Sequence, residues 1–383
     1  MKNHYDLLVI GGGVLGTFHA YQALEKGLHV AVLDRNRQAR GSSVQNFGQV
    51  VPSGMNTKWQ EYGRKSLEIY KSIQDQFDIS VRQNGSVYIA SNEEEMTLLE
   101  ELAVINQGRD YPSQMLTAAE CLQRYEGLRS DYCVGGLFFP EEVTVEPRIA
   151  IHRIRQYLEE QKGLEYFPQT LVTGVESLGI GCQVHSSDGR IFRAEQVLIC
   201  NGYDFQTLFP EIFVKSDLQA VKLQMLLLES QPTQVIPGSI LTGLSIRRYE
   251  SFSECPSYAE IKAKEDPESL AKKWSVHILF KQAADGSIIL GDTHEYADAT
   301  DAETLGTTMN AEMNQYMLEE AAKIFDLQNW SVRETWLGTY SQCRQNDIFR
   351  QTIEDRIHLL TGIGGKGMTG SAGYAAKHID DIL

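Results

Sequence analysis

The chain has 383 residues, 42% hydrophobic and 22% charged, with 35 Lys and Arg against 51 Asp and Glu for a net charge of −16. These proportions exclude a disordered chain and point to roughly two globular domains. So acidic a chain repels polyphosphate, which argues against a nucleic-acid groove. It also lacks the run of about 18 apolar residues that a membrane span needs.

Six cysteines (Cys121, Cys133, Cys182, Cys200, Cys255 and Cys343) are scattered, with no C-x-x-C pair and no metal-ligand spacing. They read as small buried hydrophobes in a reducing compartment, and no metal site is expected. The apolar run at 7–16 has Asp6 at its edge, only Lys2 as a basic residue ahead of it and an amphipathic pattern behind it. It reads as part of the fold and not as a leader, so a cytoplasmic location is expected.

In chain order, an apolar strand over 5–10 leads to helical spacing over 14–26 (Leu15, Phe18, Ala20, Tyr21, Leu24), a stop at Gly27 and a strand over 29–33 closed by Asp34. A Ser-, Asn- and Gly-rich loop follows at 41–55, then a helix over 59–77 and a strand over 85–90. Helices are expected over 93–107 and 118–125, and Pro147 opens another that runs to 161. Gly189 marks a hairpin turn before an apolar strand over 193–200. Further strands are expected over 218–228 and, as a hairpin around Asp285-Gly286, over 274–280 and 287–291. A helix over 303–324, a strand over 356–361 and a last helix complete the chain.

Two motifs carry chemistry. Gly11-Gly12-Gly13-Val14-Leu15-Gly16 is a G-x-G-x-x-G turn between a strand and a helix, with Asp34 at the end of the next strand. Gly11 permits the tight turn, Gly13 lets backbone approach a pyrophosphate, and Gly16 lets the helix pack on the sheet. A carboxylate at Asp34 is placed to accept bonds from a ribose diol, so a dinucleotide is expected. The second motif, Thr361-Gly362-Ile363-Gly364-Gly365-Lys366-Gly367-Met368-Thr369, also joins a strand to a helix. Its backbone amides and helix N-terminus suit a flat ring that becomes anionic on reduction. An isoalloxazine does so, and a nicotinamide does not.

These residues resemble the D-amino-acid-oxidase-like flavoproteins, the family that includes glycine oxidase and sarcosine oxidase. The 11–16 turn with Asp34-Arg35 is similar to their FAD fingerprint, and the stretch from Gly41-Ser42-Ser43 to Asn46-Phe47-Gly48 to their serine-rich flavin loop. Val145-Glu146-Pro147, Cys200-Asn201-Gly202, Val221-Lys222-Leu223-Gln224 and the C-terminal glycine segment match further family stretches in the right order. More narrowly, the stretches at 46–48 and 291–296 resemble a bacterial subgroup associated with phosphonate catabolism.

The resemblance implies an α+β chain with a Rossmann-type parallel-sheet domain from 1–80, 145–217 and 330–383, which binds FAD. A mainly antiparallel substrate domain would come from 81–144 and 218–329. It implies that Ser42 and Ser43 contact the pyrophosphate side, that Asn46, Gly48 and Gln49 lie along the flavin, and that the Val172 backbone meets the adenine. Asn201 and Gly202 would close the strand beside the cofactor, and residues 364–369 would cover the pyrimidine edge.

The implied reaction is oxidation of a C–N bond in a small amine or amino acid, with hydride passing to flavin N5 and the imine then hydrolysing. Oxygen or another carrier would be the electron acceptor. The family's substrate-gripping arginine has no counterpart in Gly338-Thr339-Tyr340-Ser341, which argues against a simple α-amino acid. Candidate catalytic side chains are Lys366, His294 and Lys281, each of which also reads as an ordinary loop or core residue. Arg247-Arg248-Tyr249 can clamp an anion or be solvated, and Trp274 and Tyr340 are pocket walls or core aromatics. Cys343 and His294 are conceivable flavin attachment points, without support from spacing. The rival readings are an NAD-dependent dehydrogenase and a flavin-binding protein whose FAD is structural.

Overall fold

A computed structural model describes residues 4–383. The strand His4–Ile10 lies at the centre of an eight-stranded sheet. Leu7 and Val9 point into one buried layer and Leu8 and Ile10 into another. A run buried on both faces is what a parallel sheet requires. Its parallel neighbours are Val30–Leu33 on one side and Ile191–Ile199 on the other, followed outward by Glu165–Phe167 and Ile357–Thr361. The antiparallel pair Val172–Ser177 and Cys182–Ser186 joins at the start of Ile191–Ile199, and Phe349–Ile353 forms the far edge.

The helices Val14–Glu25, Thr57–Gln74, Pro147–Gln161 and Gly367–Ile382 share the core on one face of this sheet. Trp59, Tyr70 and Phe18 are fully buried there. Two helix starts follow directly from sequence: Asn56 caps Thr57–Gln74 by accepting from the Trp59 amide, and Pro147 occupies a first turn where its missing N–H is no loss.

A second sheet of nine strands is built on Leu218–Leu228. One edge of that strand pairs first with Glu295–Asp298 and then with Ile288–Gly291; its whole other edge pairs with Val332–Cys343. All pairings in this sheet are antiparallel except Ser239–Leu241 with Ser86–Ala90. The α+β class with one parallel and one mainly antiparallel sheet is therefore as expected. Among the described residues no helix is long and apolar enough to cross a membrane, and all six cysteines are buried and unpaired.

Three expectations need correction. The 12-residue strand Val332–Cys343 belongs to the second sheet, so the expected boundary at 330 falls ahead of it and not at a domain change. Residues 274–278 are not strand: Trp274 ends a short helix, Leu270–Lys273, and Ser275 takes φ +48°. The helix expected over 303–324 is broken by Gly306 at φ +57°, and Asn310 caps a separate helix, Ala311–Ala322.

A buried carboxylate ties the second sheet to neighbouring loops. Glu142 accepts from the Ser53 amide at 2.7 Å, in the turn Pro52–Gly54, from Tyr111 Oη at 2.8 Å, ahead of the strand Gln114–Thr117, and from Ser86 Oγ in the second sheet. Burial pushes its pKa up to about 7, outweighing these hydrogen bonds, which act to lower it. A carboxyl raised in the folded state binds its proton more tightly there than when unfolded. Stability from this group is therefore complete below about pH 4.5 and declines as pH rises to about 7. Glu142→Gln should lack that slope, so wild type should lose midpoint relative to the variant between pH 5 and 7.5 in thermal unfolding. A difference constant across this range would contradict the assignment.

Candidate active site

The two glycine turns, at residues 11–16 and 362–370, lie at opposite ends of the sequence yet line one cavity of about 570 Å³. At the first turn, Gly16 packs so closely that an added Cβ would lie 2.0 Å from Gly11 O. The helix it opens has no cap from its N-cap residue Gly13; the Val14 amide is met instead by Ser43 Oγ at 2.8 Å. Above Gly13 an added Cβ would meet only that hydroxyl, so the backbone is open to a ligand. Asp34, at the end of the second strand, accepts from the Gly12 amide at 2.8 Å and the Asn36 amide at 2.7 Å.

The loop after Gly41 forms the cavity's long wall. Asn46 spans it, donating to Ser42 O and accepting from the Gly48 amide, both at 2.7 Å. Gly48 sits at φ +71°, and a Cβ there would be 2.2 Å from Val145 O, so no other residue fits without displacement. Opposite, Gly364–Lys366 forms a tight turn leading into Gly367–Ile382, again with no side-chain cap. Thr369 closes this end by accepting from the Val51 amide at 3.1 Å. Both long helices thus turn their N-termini to one cavity, the first with its Val14 amide held by Ser43 Oγ and the second without a side-chain cap, where backbone N–H groups and the helix dipole favour anions.

The cavity's other end is made by the second sheet: Arg248, Tyr249, His277, Asp292, His294 and Tyr340 line it. Arg248 donates to Ser275 O and, at 2.8 Å, to Tyr296 Oη. His294 bonds Ser275 O through Nδ1 at 3.2 Å; a carbonyl only accepts, so that nitrogen carries the proton. Burial, reinforced by the Arg248 charge, holds both His277 and His294 well below the usual imidazole range, so both are neutral. Burial pushes the Tyr249 and Tyr340 phenols up.

The chain's similarities agree with this geometry. The family model for FAD dependent oxidoreductases (DAO) matches residues 6–382. The chain belongs to that family. Among its relatives, an opine oxidase component from Rhizobium meliloti is 22% identical over 347 residues, 87% of this chain and 81% of the relative. Glycine oxidase of Bacillus licheniformis is 25% identical over 58% of this chain, a match that spans 60% of that enzyme's length. The solved structure of L-proline dehydrogenase from P. horikoshii superposes with a TM-score of 0.80 at 16% identity, covering all of this chain and 94% of that one. FAD is therefore the cofactor, and the nicotinamide-dependent reading is set aside. The residues present suit it: an open glycine turn and two helix N-termini for a diphosphate and an electron-rich ring, in one cavity.

Of the residues singled out from sequence, those at 13–16, Ser42, Ser43, Asn46, Gly48, Gln49, Gly202 and 364–369 line the cavity, with Arg248, Tyr249, His294 and Tyr340. Cys343 lines it too, with its thiol pushed up to about 12 by burial. Val172 is buried near Asp34 and not on the cavity: Thr170, two residues before it, donates to Asp34 O at 2.8 Å. Arg35 turns outward to Asp204 at 2.6 Å, and Asn201 donates to Asp204 O while its own Oδ1 stays buried without a partner.

Three candidates are displaced from the expected role. Arg247 turns away from Arg248 to pair with Glu95 at 3.0 Å and Glu94 at 3.2 Å, so the two arginines do not form one clamp. Lys281 lies behind Gly48, bonded to Val145 O and 3.5 Å from Glu146. Trp274 packs edge-on against Tyr316 at 5.7 Å, away from the cavity. Lys366 lines the cavity, but its charge is met by Glu250 at 2.8 Å. Sequence reasoning did not single out His277 or Asp292; the second stood two residues from His294 in a stretch already noted, and the first carried no signal.

Asp34 does not line the cavity but holds the Gly12 turn through its carboxylate, so Asp34→Ala should purify with markedly less FAD per chain, and Asp34→Asn with an intermediate content. Unchanged flavin absorbance relative to protein in both variants would rule out that role.

Proposed function

We propose that this chain oxidises the C–N bond of a small amine that also carries an anionic group. The observation that carries this reading is Arg248. Among the described residues, three cations other than histidine line the cavity, and two are neutralised: Lys366 by Glu250 and Arg344 by Asp298. Arg248 touches only neutral acceptors, the Ser275 carbonyl and the Tyr296 hydroxyl. A half-buried guanidinium lacking a carboxylate partner is suited to a carboxylate or phosphonate, which its planar fork meets with two bonds. This supplies, from another segment of the second domain, the anion grip that 338–341 lacks.

Residues 11–16 with Ser42 and Ser43 would hold the diphosphate of FAD and Asp34 its ribose; Asn46, Gly48 and Gln49 would lie along the ring and 364–369 at its far edge. Bound FAD supplies a two-electron acceptor for the substrate's C–H bond. The chain's own groups bind and orient: Arg248 fixes the anion, Tyr249 and Tyr340 wall the pocket, and Phe47, Leu223 and Leu279 keep water from it. Among anionic amines, an aminophosphonate or its N-alkyl derivative is the class favoured by the likeness at 46–48 and 291–296. Oxygen is the expected acceptor of the electrons, and the names of relatives support amine oxidation.

Anaerobic addition of amino acids, N-methyl amino acids and aminophosphonates should bleach the flavin with at least one anionic member. Failure of every amine would favour FAD in a structural role. Arg248→Ala should raise KM for anionic amines about 10- to 100-fold, equivalent to about 1.5–3 kcal/mol of charged hydrogen bonding, and leave neutral amines unaffected. Arg247→Ala should instead lower thermal stability, because it leaves Glu95 buried without its cation. Equal losses on neutral and anionic amines in Arg248→Ala would dismiss the grip.

A further inference from the structure

Asp292 follows the strand Ile288–Gly291 and is 8% exposed, yet its Oδ1 has no hydrogen-bond partner. His294 Nδ1 lies 3.8 Å from it, and that N–H is already given to Ser275 O. The other carboxylates that line the cavity are taken: Glu250 by Lys366 and Asp347 by Lys58. Leaving a buried carboxylate oxygen unpaired is unfavourable unless a ligand completes it. Arg248 lines the same end of the cavity, so a cationic and an anionic group of the protein face one space. A small zwitterion matches that pair.

We propose that Asp292 receives the substrate's ammonium group and takes one proton from it. In this step R–NH3+ and the Asp292 carboxylate become R–NH2 and the Asp292 carboxylic acid, and the electron pair of the broken N–H bond stays on nitrogen. The inference rests on the anionic-amine reading above and names the group that frees the lone pair which that oxidation needs. His277, whose Nε2 is also buried without a partner, is the competing acceptor. A proton placed there would create a second buried cation near Arg248, whereas on Asp292 it removes a charge. Around Asp292 the Tyr249 and Tyr340 phenols, pushed up by burial, and the neutral His294 offer no negative charge at neutral pH.

The test uses the FAD-loaded enzyme and two ligands with no hydrogen on the reacting carbon, 2-methylalanine and 2-hydroxy-2-methylpropanoate, or the corresponding phosphonates. Binding is read from the flavin spectrum. Wild type should bind the amine at least tenfold more tightly than the hydroxyl compound at pH 8. Asp292→Asn should abolish that preference while keeping affinity for the hydroxyl compound within about twofold. In wild type alone, the preference should grow as pH rises from 6 to 8, because burial holds the Asp292 pKa at about 7 and only the carboxylate can accept. A preference that survives Asp292→Asn, or that is flat across this range in wild type, would overturn the assignment. If wild type binds neither anion and Arg248→Ala changes nothing, the anionic-amine reading itself fails, and this inference with it.

Discussion

Two helix N-termini that face one cavity set most of what this chain can do. Val14–Glu25 and Gly367–Ile382 pack against each other and turn their first residues toward the same space, the first with its Val14 amide held by Ser43 Oγ and the second without a side-chain cap. The N–H groups and dipole of a helix end attract negative charge, and here two such ends lie at separated points. This requires a backbone close enough to reach a ligand, so glycine occupies both turns. It also requires the two turns to meet, which is why strands from the beginning, middle and end of the chain share one parallel sheet. The second sheet can then vary its cavity-facing residues without disturbing the cofactor cradle.

Electrostatics separates the cavity from the rest of an acidic protein. Arg247 and Arg248 are neighbours in sequence and opposite in fate. The helix Gly243–Ile246 ends at this point and sends Arg247 back to Glu95, while Arg248 continues toward the cavity. The same contrast applies to Lys366. It reaches the cavity, but with Glu250 at 2.8 Å it adds little net charge. Negative charge at that end of the cavity is therefore balanced mainly by the amides of the last helix.

The cofactor half of the site was legible in sequence because its chemistry needs glycine at fixed spacings between a strand and a helix. The 11–16 turn, Asp34 and the 362–370 turn carry that requirement openly. The other half was legible only in part: Arg248, Tyr249, His294 and Tyr340 were singled out and line the cavity, whereas His277 and Asp292 come from segments whose spacing reflects loop lengths alone. Among the strands, Leu218–Leu228 announced itself through Lys222 and Gln224 alternating with apolar neighbours. Val332–Cys343, its full-length partner, is exposed over much of its first half and offers no apolar run to read. Trp274 misled for the opposite reason: an aromatic beside apolar residues resembles a strand, but the backbone turns at Ser275.

The pocket's polarity also bears on how a substrate is chosen. His277 and His294 are neutral and buried, so they contribute shape and hydrogen bonding and no net charge. On the proposed reading, Arg248 and Asp292 are the pair whose charges decide what enters. A neutral amine satisfies only Asp292, a simple anion only Arg248, and each leaves the other group desolvated without a partner. A molecule carrying both groups at the right separation completes the two together. Selectivity on that reading follows less from any single strong contact than from the unfavourable energy of leaving either charge unmet.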